Sequence, residues 1–146
     1  MFKKLRKNEK GFTLAELLIV VAIIGVLVAI SIPIFTSQLE KAREATDQAN
    51  IRAIYAECSA DVLTQTAAGD NGKTENEGKV AWTVDANGVV TAIGTYTMKQ
   101  QESGLAGNTS GSIDIGGVKI QSADFKTVTA TITVKGDGAV PKIEIK

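Results

Sequence analysis

The residue that most needs a chemical explanation is Glu16. It is the only charged residue between positions 12 and 35, a stretch that is apolar apart from Thr13, Glu16 and Ser31. A carboxylate inside an apolar span is costly alone and much less costly beside a buried cation. The sequence therefore predicts that Glu16 has a partner, and any proposed function has to supply one.

The remaining residue types exclude most catalytic chemistry. The chain has no histidine, which removes the usual general base, the commonest zinc ligand and every Ser-His or Cys-His scheme. Cys58 is the only cysteine, so it can form no intramolecular disulfide, and its apolar surroundings predict a small buried hydrophobe. Asp85, Asn87 and Gly88 are typical of a turn rather than of a calcium site. We therefore predict a protein that is not an enzyme, with no cofactor and no metal.

Charge separates the first segment from the rest. The formal net charge is zero, but five basic residues lie within the first ten positions: Lys3, Lys4, Arg6, Lys7 and Lys10. Without that segment the chain is mildly acidic, which argues against a dedicated nucleic-acid interface. The apolar stretch 12–35 is about 36 Å long as a helix, enough to cross a hydrocarbon layer of about 30 Å. The basic flank is expected to stay cytoplasmic, so that everything after Phe35 faces outward.

Beyond the apolar stretch the helix pattern becomes amphipathic. One stripe is rich in alanine and the other is bulkier; the first comprises Leu39, Ala42, Ala45, Ala49, Ala53, Ala56, Ala60 and Leu63, the second Ile51, Tyr55, Cys58 and Val62. The bulkier stripe suits the protein's own head, and the small residues suit close approach by another helix. Arg43 and Asp47 are spaced for an i,i+4 contact. The helix is expected over residues 12–64, with a bend near Pro33.

The C-terminal part predicts three β-hairpins. They are 80–84 with 89–92, 112–115 with 118–121, and 127–134 with 140–145, and Val128, Ala130, Ile132 and Val134 should share a face with Ile143 and Ile145. Residues 104–111 are expected to form an irregular loop. The predicted fold class is α+β: a long N-terminal helix packed on a small antiparallel sheet. We divide it into residues 1–11, 12–35, 36–66 and a β-rich head, 67–146.

The N-terminal region resembles the type IV pilins. The resemblance is carried by Lys10-Gly11-Phe12-Thr-Leu-Ala-Glu16, the preceding charge run and the following apolar run Leu17-Leu-Ile-Val-Val-Ala-Ile-Ile-Gly25. It is dense over residues 3–35 and only architectural in the head. The resemblance implies a precursor that becomes the subunit of an extracellular filament serving adhesion, twitching motility or DNA uptake.

Specific roles follow from the resemblance. A membrane peptidase would cut after Gly11, and Phe12 would become an N-methylated terminus. Glu16 would pair with the Phe12 amine of a neighbouring subunit, and the helix would unwind between Gly25 and Pro33 inside the filament. The implied partners are copies of the chain, a prepilin peptidase and methylase, a membrane assembly platform and its ATPase. The implied location is first the cytoplasmic membrane, as a single-pass precursor, and then the surface filament.

Four alternatives accompany this interpretation. The first is a pseudopilin of a secretion or competence machine, which shares the whole N-terminal region. Within the pilins, the missing cysteine pair favours the cysteine-poor pilins of Gram-positive bacteria. An ordinary signal peptide cut near Ala29-Ile-Ser31 would release a soluble binding protein, but it places Glu16 badly. A simple membrane anchor leaves Glu16 without a partner. A membrane-anchored hydrolase lacks any motif that would propose its active site.

Overall fold

The computed structural model describes residues 11–72, 78–101, 112–121 and 129–145. The chain divides into two compact units, Met1–Ser37 and Gln38–Lys146. The predicted loop 104–111 and the predicted core residue Val128 lie outside the described residues.

A single long helix, α1, spans Leu14–Thr64 and so contributes to both units. The prediction of a helix over 12–64 is confirmed except at its start, because Thr13 caps the first turn. Pro33 lies inside the helix without ending it, as predicted. Because proline has no N–H, the helix lacks one backbone hydrogen bond at Pro33. The hydroxyl of Thr36 donates to the Pro33 carbonyl at 3.0 Å.

The first unit holds the apolar half of α1, and its side chains are exposed. Every residue from Gly11 to Ser37 is exposed, including Phe12 (86%) and Phe35 (69%). By length and composition α1 can cross a membrane, with a mean hydropathy of 3.1 over its most apolar window. An apolar surface of this size on a water-soluble monomer would be unusual, so it requires lipid or protein around it.

The second unit contains a five-stranded antiparallel sheet and a separate hairpin. Their strands are β1 (Gly69–Asp70), β2 (Val80–Val84), β3 (Val90–Thr97), β4 (Ser112–Ile115), β5 (Val118–Gln121), β6 (Thr129–Lys135) and β7 (Lys142–Ile145). The sheet order is β1-β2-β3-β6-β7, and β4 pairs with β5. All three predicted hairpins are present, and β3 continues five residues beyond the predicted end at position 92.

The core of this unit lies between the outer half of α1 and one face of the sheet. Its buried residues come from α1, from the sheet and the residue just after β3, and from the β4–β5 hairpin: Ile51, Ile54, Cys58, Val80, Ala92, Tyr96, Met98, Ile113, Ile115, Ile120, Ala130, Ile132 and Val134. The register pairs Ala130 with Ile145 and Ile132 with Ile143, which confirms the predicted shared face for the described members. The α+β class is therefore confirmed.

The two helix stripes have different surroundings, as the sequence predicted. Ile51 and Cys58 are fully buried, with Tyr55 and Val62 packed partly against the same core. The alanine-rich stripe is exposed from Leu39 to Leu63. The head covers one stripe and leaves the other uncovered.

A buried carboxylate joins α1 to the chain that follows β3. Asp47 is fully buried and accepts hydrogen bonds from the Tyr96 hydroxyl (2.8 Å) and from the backbone N–H groups of Lys99 (2.9 Å) and Gln100 (2.8 Å). The predicted Arg43–Asp47 contact is wrong, because these donors occupy Asp47. Arg43 instead pairs with Glu40 at 3.2 Å.

Candidate assembly site

Thr13 and Glu16 close the first turn of α1. The backbone N–H and the hydroxyl of Thr13 both donate to Glu16 Oε2, at 2.8 and 2.7 Å. In return, the Glu16 backbone N–H donates to Thr13 Oγ1 at 3.2 Å. This reciprocal pattern is a capping box, in which an N-cap threonine and a glutamate three residues later satisfy otherwise unpaired N–H groups.

The capping box gives Glu16 a partner within its own chain. A carboxylate at the start of a helix is also favoured by the helix dipole. The objection that a simple membrane anchor leaves Glu16 without a partner is therefore weaker than the sequence suggested. The spacing Thr13-x-x-Glu16 is visible in the sequence and could have located the start of the helix. The apolar stretch alone placed that start at residue 12, whereas α1 begins at Leu14.

Gly11 and Phe12 precede the helix and are fully accessible. A β-carbon added at Gly11 would meet no atom within 4 Å, and the Phe12 ring is 86% exposed. Neither residue belongs to α1, which begins at Leu14. The Gly11–Phe12 peptide bond is thus outside regular secondary structure and unobstructed by the rest of the described chain. Such a bond is accessible to a peptidase.

Gly25 and Pro33 are both inside α1 in the single chain. A β-carbon at Gly25 would meet no atom within 4 Å, so glycine is not required there by packing. Between them, the Ser31 hydroxyl donates to the Leu27 carbonyl at 2.7 Å, a bond to the preceding turn that slightly destabilises helices. Glycine and proline have the lowest helix propensities, so this segment is intrinsically the weakest part of the helix.

The residues considered for other chemistry have structural roles. Cys58 is fully buried, and burial, followed by the charges of Asp61 and Glu57, raises the pKa of its thiol to about 12, which makes it unreactive. Asp85 Oδ1 accepts from the backbone N–H groups of Asn87 and Val89, at 2.8 and 2.9 Å, as turn chemistry predicted. Among the described residues no group of three potential metal ligands comes together.

Comparison with known proteins identifies the N-terminal region. A family described as the prokaryotic N-terminal methylation motif matches residues 6–32, which include Gly11, Phe12 and Glu16. Residues 6–32 therefore carry that motif. No solved structure matches it with comparable significance.

The relatives are pilus and fimbrial proteins. "Fimbrial protein Q" of Moraxella bovis is 34% identical over 110 residues, which cover 75% of this chain and 60% of the relative. "Type IV major pilin protein PilA" of Myxococcus xanthus is 46% identical over 48 residues, covering 33% of this chain and 22% of the relative. "Type IV narrow pilus major component PilA5" of Thermus thermophilus is 49% identical over 47 residues, which cover 32% of this chain and 40% of the relative.

The matches are partial, since they cover between 22% and 60% of the length of these three relatives. The two higher identities fall on short stretches of 48 and 47 residues, as expected if the helix is shared and the head diverges. The expected likeness to Gram-positive pilins in particular finds no support among them. The resemblance to type IV pilins itself is confirmed.

Proposed function

We propose that this chain is the structural subunit of an extracellular type IV pilus and has no enzymatic activity. The single observation that carries the proposal is the apolar half of α1, exposed from Leu14 to Ser37 and bearing one carboxylate at its start. The relatives' names support a pilus component and do not favour the pseudopilin alternative. The head would be displayed on the outside of the filament.

Assembly replaces lipid around this helix by other copies of the same helix. Inside a bilayer, helix association gains little from the hydrophobic effect, because lipid tails are as apolar as the side chains. Outside the bilayer the same surface is costly, since each exposed Leu, Ile or Val forgoes about 1.5–3 kcal/mol. A subunit therefore leaves the membrane only by transferring its apolar half directly onto neighbouring subunits.

Glu16 would set the stagger between neighbours. Cleavage after Gly11 creates a cation at the Phe12 amine, which N-methylation leaves positively charged. Within one helix that amine lies about a turn below the carboxylate, and Glu16 Oε2 already accepts two bonds from Thr13. A neighbour shifted axially by about one turn, roughly 5.4 Å, brings its own amine to the height of Glu16. The pair neutralises both charges in an apolar setting.

The alanine stripe extends the same packing beyond the membrane segment. It is exposed on the outer half of α1, and small side chains allow helix backbones to approach closely. The segment from Gly25 to Pro33 would unwind in the filament, which would make it extensible. Amide hydrogen exchange on filaments should then find weak protection from Gly25 to Pro33, and full protection there would contradict the unwinding.

The proposed pathway has four partners besides the chain itself: a prepilin peptidase, a methylase, a membrane assembly platform and a cytoplasmic ATPase. Before assembly the precursor would cross the cytoplasmic membrane once with its basic N-terminus inside, as the positive-inside rule predicts. Afterwards the subunit would lie outside the cell in the filament.

Mass analysis of the N-terminus tests the processing step. The subunit from sheared surface material should begin at Phe12 and carry one added methyl group. A chain that begins at Ile32 would instead indicate an ordinary signal peptide. Electron microscopy of the same material should reveal filaments, and a processed chain that never multimerises would exclude the structural role.

Variants of the capping box separate its two functions. Glu16→Ala removes the charge and the glutamate half of the capping box, whereas Thr13→Val keeps the charge and removes the threonine hydroxyl. If the intermolecular pair governs assembly, Glu16→Ala should yield inserted, processed subunits without filaments, and Thr13→Val should still polymerise. If both variants lose filaments equally, the helix cap rather than the charge is the essential feature.

A further inference from the structure

The chain contains two Asn-Gly pairs in the described head, Asn71-Gly72 and Asn87-Gly88. In such a pair the glycine backbone nitrogen can attack the asparagine side-chain carbon. Glycine favours the step because it has no side chain to shield that nitrogen and its backbone reaches conformations closed to other residues. The two pairs lie in different surroundings, which makes them a matched comparison within one molecule.

Asn87 lies at the exposed tip of the β2–β3 turn. Asn87 and Gly88 are both exposed, and a β-carbon added at Gly88 would meet no atom within 4 Å. The backbone of Asn87 is held, because its N–H donates to Asp85 Oδ1 at 2.8 Å. Its side-chain amide makes no hydrogen bond within the described part of the chain. The reactive group is therefore free to rotate.

Asn71 is held at both its backbone and its side chain. Its N–H donates to the Val80 carbonyl at 3.0 Å, and its Oδ1 accepts from the Val80 N–H at 3.3 Å. Asn71 is half-buried and has a further interaction within the protein. Turning the amide toward Gly72 requires the bond between Oδ1 and Val80 to break. The two pairs thus have the same sequence and opposite side-chain freedom.

We propose that Asn87 is a site of spontaneous, water-driven modification and that Asn71 is protected. The Gly88 nitrogen forms a bond to Asn87 Cγ, the Cγ–Nδ2 bond breaks, and ammonia leaves with the proton from Gly88. The product is a five-membered succinimide. Water then opens the ring at either carbonyl, which leaves aspartate or isoaspartate and adds one negative charge per subunit.

The turn itself slows the reaction. The Gly88 N–H donates to the Asp85 carbonyl at 3.0 Å, and this bond must open before the nitrogen can attack. A hydrogen bond of ordinary net strength slows a step that must break it by about fivefold. Asn71 must break its own side-chain bond to Val80 and leave a half-buried position as well, so Asn87 should convert about tenfold faster or more.

The modification would accumulate with the age of the molecule. The isoaspartate product inserts one methylene into the main chain of a turn in which Asp85 accepts three hydrogen bonds, and so changes the β2–β3 tip. A head exposed outside the cell would carry this change for as long as the molecule persists. The inference does not depend on the proposed polymerisation.

Peptide mapping tests the proposal directly. The full chain in detergent micelles is incubated in mildly alkaline buffer, digested with trypsin and followed by mass spectrometry. Cleavage after Lys and Arg places Asn71 on peptide 53–73 and Asn87 on peptide 80–99, each the single asparagine of its peptide. We expect the acid form, with an early-eluting isoaspartyl component, on peptide 80–99, and little change on peptide 53–73.

Three controls define what would overturn the proposal. In urea both asparagines should convert at similar rates, because the difference is structural; a difference that persists in urea would overturn it. Asp85→Ala keeps the backbone carbonyl that accepts from the Gly88 N–H, but it removes the two bonds to Asp85 Oδ1 that hold the turn, so the Gly88 bond should open more readily. Conversion at Asn87 should then rise severalfold while Asn71 is unchanged, and no change at Asn87 would contradict the role of the turn. Asn87→Gln should abolish the new species on peptide 80–99. Equal rates at the two sites in the folded chain would refute the inference.

Discussion

Replacing Gly94 by alanine should destabilise the head, because α1 packs against this glycine of β3 and leaves no room for a side chain. A β-carbon built at Gly94 would lie 2.1 Å from Ile54 Cγ2 and 3.1 Å from Cys58 Sγ. Carbon atoms pack best at about 3.5–4.0 Å. The added methyl group would therefore overlap Ile54 by more than an ångström, and the backbones of both α1 and β3 limit how far they can move apart.

Two effects of opposite sign set the magnitude. Overpacking a well-packed core costs about 1–3 kcal/mol, and the depth of this overlap places Gly94→Ala near the upper limit. The φ angle of Gly94 is not in the positive region, so alanine adopts its conformation and regains about 0.4–1 kcal/mol by restricting the unfolded chain. The net loss should be about 2 kcal/mol, or about 8 °C in Tm.

The single tryptophan and the single cysteine provide the assay. Urea unfolding of the full chain in detergent is followed by Trp82 fluorescence, and thiol labelling of the buried Cys58 reports opening of the same interface. Thr95→Ala, one residue along β3 on the opposite sheet face, serves as the control and should cost less than about 1 kcal/mol.

A double-mutant cycle isolates the cause. Ile54→Ala alone should cost about 2–5 kcal/mol through the cavity it leaves. With Gly94→Ala in the same chain, the new methyl group occupies part of that cavity. The stability lost by the double variant should therefore be about 2 kcal/mol smaller than the sum of the two single losses. A loss below about 0.5 kcal/mol for Gly94→Ala, or a coupling near zero, would refute close helix–sheet contact at this position.

Three further predictions concern buried and capping groups. Asp47→Asn should lower the free energy of unfolding by about 2–4 kcal/mol, because the new amide NH2 group would face N–H and O–H donors that need an acceptor. Tyr96→Phe should lower it by only about 1 kcal/mol. Equal losses would contradict the central role of the carboxylate. Burial raises the pKa of Cys58 from 9.0 to about 12, and burial together with the bond to Asp47 raises the pKa of Tyr96 from 10.0 to about 12. The neutral forms of both groups stabilise the fold fully below their ordinary pKa values, and this effect is lost as the pH rises through their pKa values in the folded protein. Stability should therefore fall between about pH 9 and 12, and less steeply in Cys58→Ala. A flat alkaline profile would exclude the burial of both groups. Thr13→Ala should speed amide hydrogen exchange in the first turn of α1 and leave its outer half unchanged, since a lost cap costs about 1 kcal/mol locally; uniform exchange along the helix would argue against the capping box.

The candidate assembly site could be proposed from the sequence because its residues are adjacent there. A run of basic residues, the Gly11-Phe12 junction and Glu16 lie within one short segment of the sequence. Even the capping box was available from the Thr13-x-x-Glu16 spacing. The sequence could not show that the Thr13 donors already occupy Glu16 Oε2, the atom proposed to receive the neighbour's amine, because that depends on which rotamers the first turn adopts.

The polar anchor at Asp47 could not be predicted in the same way. From sequence, Asp47 is one more charged residue on a helix, four positions from Arg43. Its actual partners are about fifty residues away in the chain, with Tyr96 at a separation of 49 and Gln100 at 53. Contacts of this range are decided by how the sheet lies on the helix, which no local pattern records.

The length of β3 is a similar case. Gly94 lies in its middle, and glycine inside a strand normally weakens the prediction of one. The glycine is there because Ile54 needs the space, a reason that exists only once the two layers meet. The sequence by itself determined the elements, the apolar half of the helix and the three hairpins, because periodicity and turn residues act over a few positions. The tertiary structure alone decided the buried carboxylate, the glycine contact and the side chains left free, since these depend on atoms brought together from distant parts of the chain.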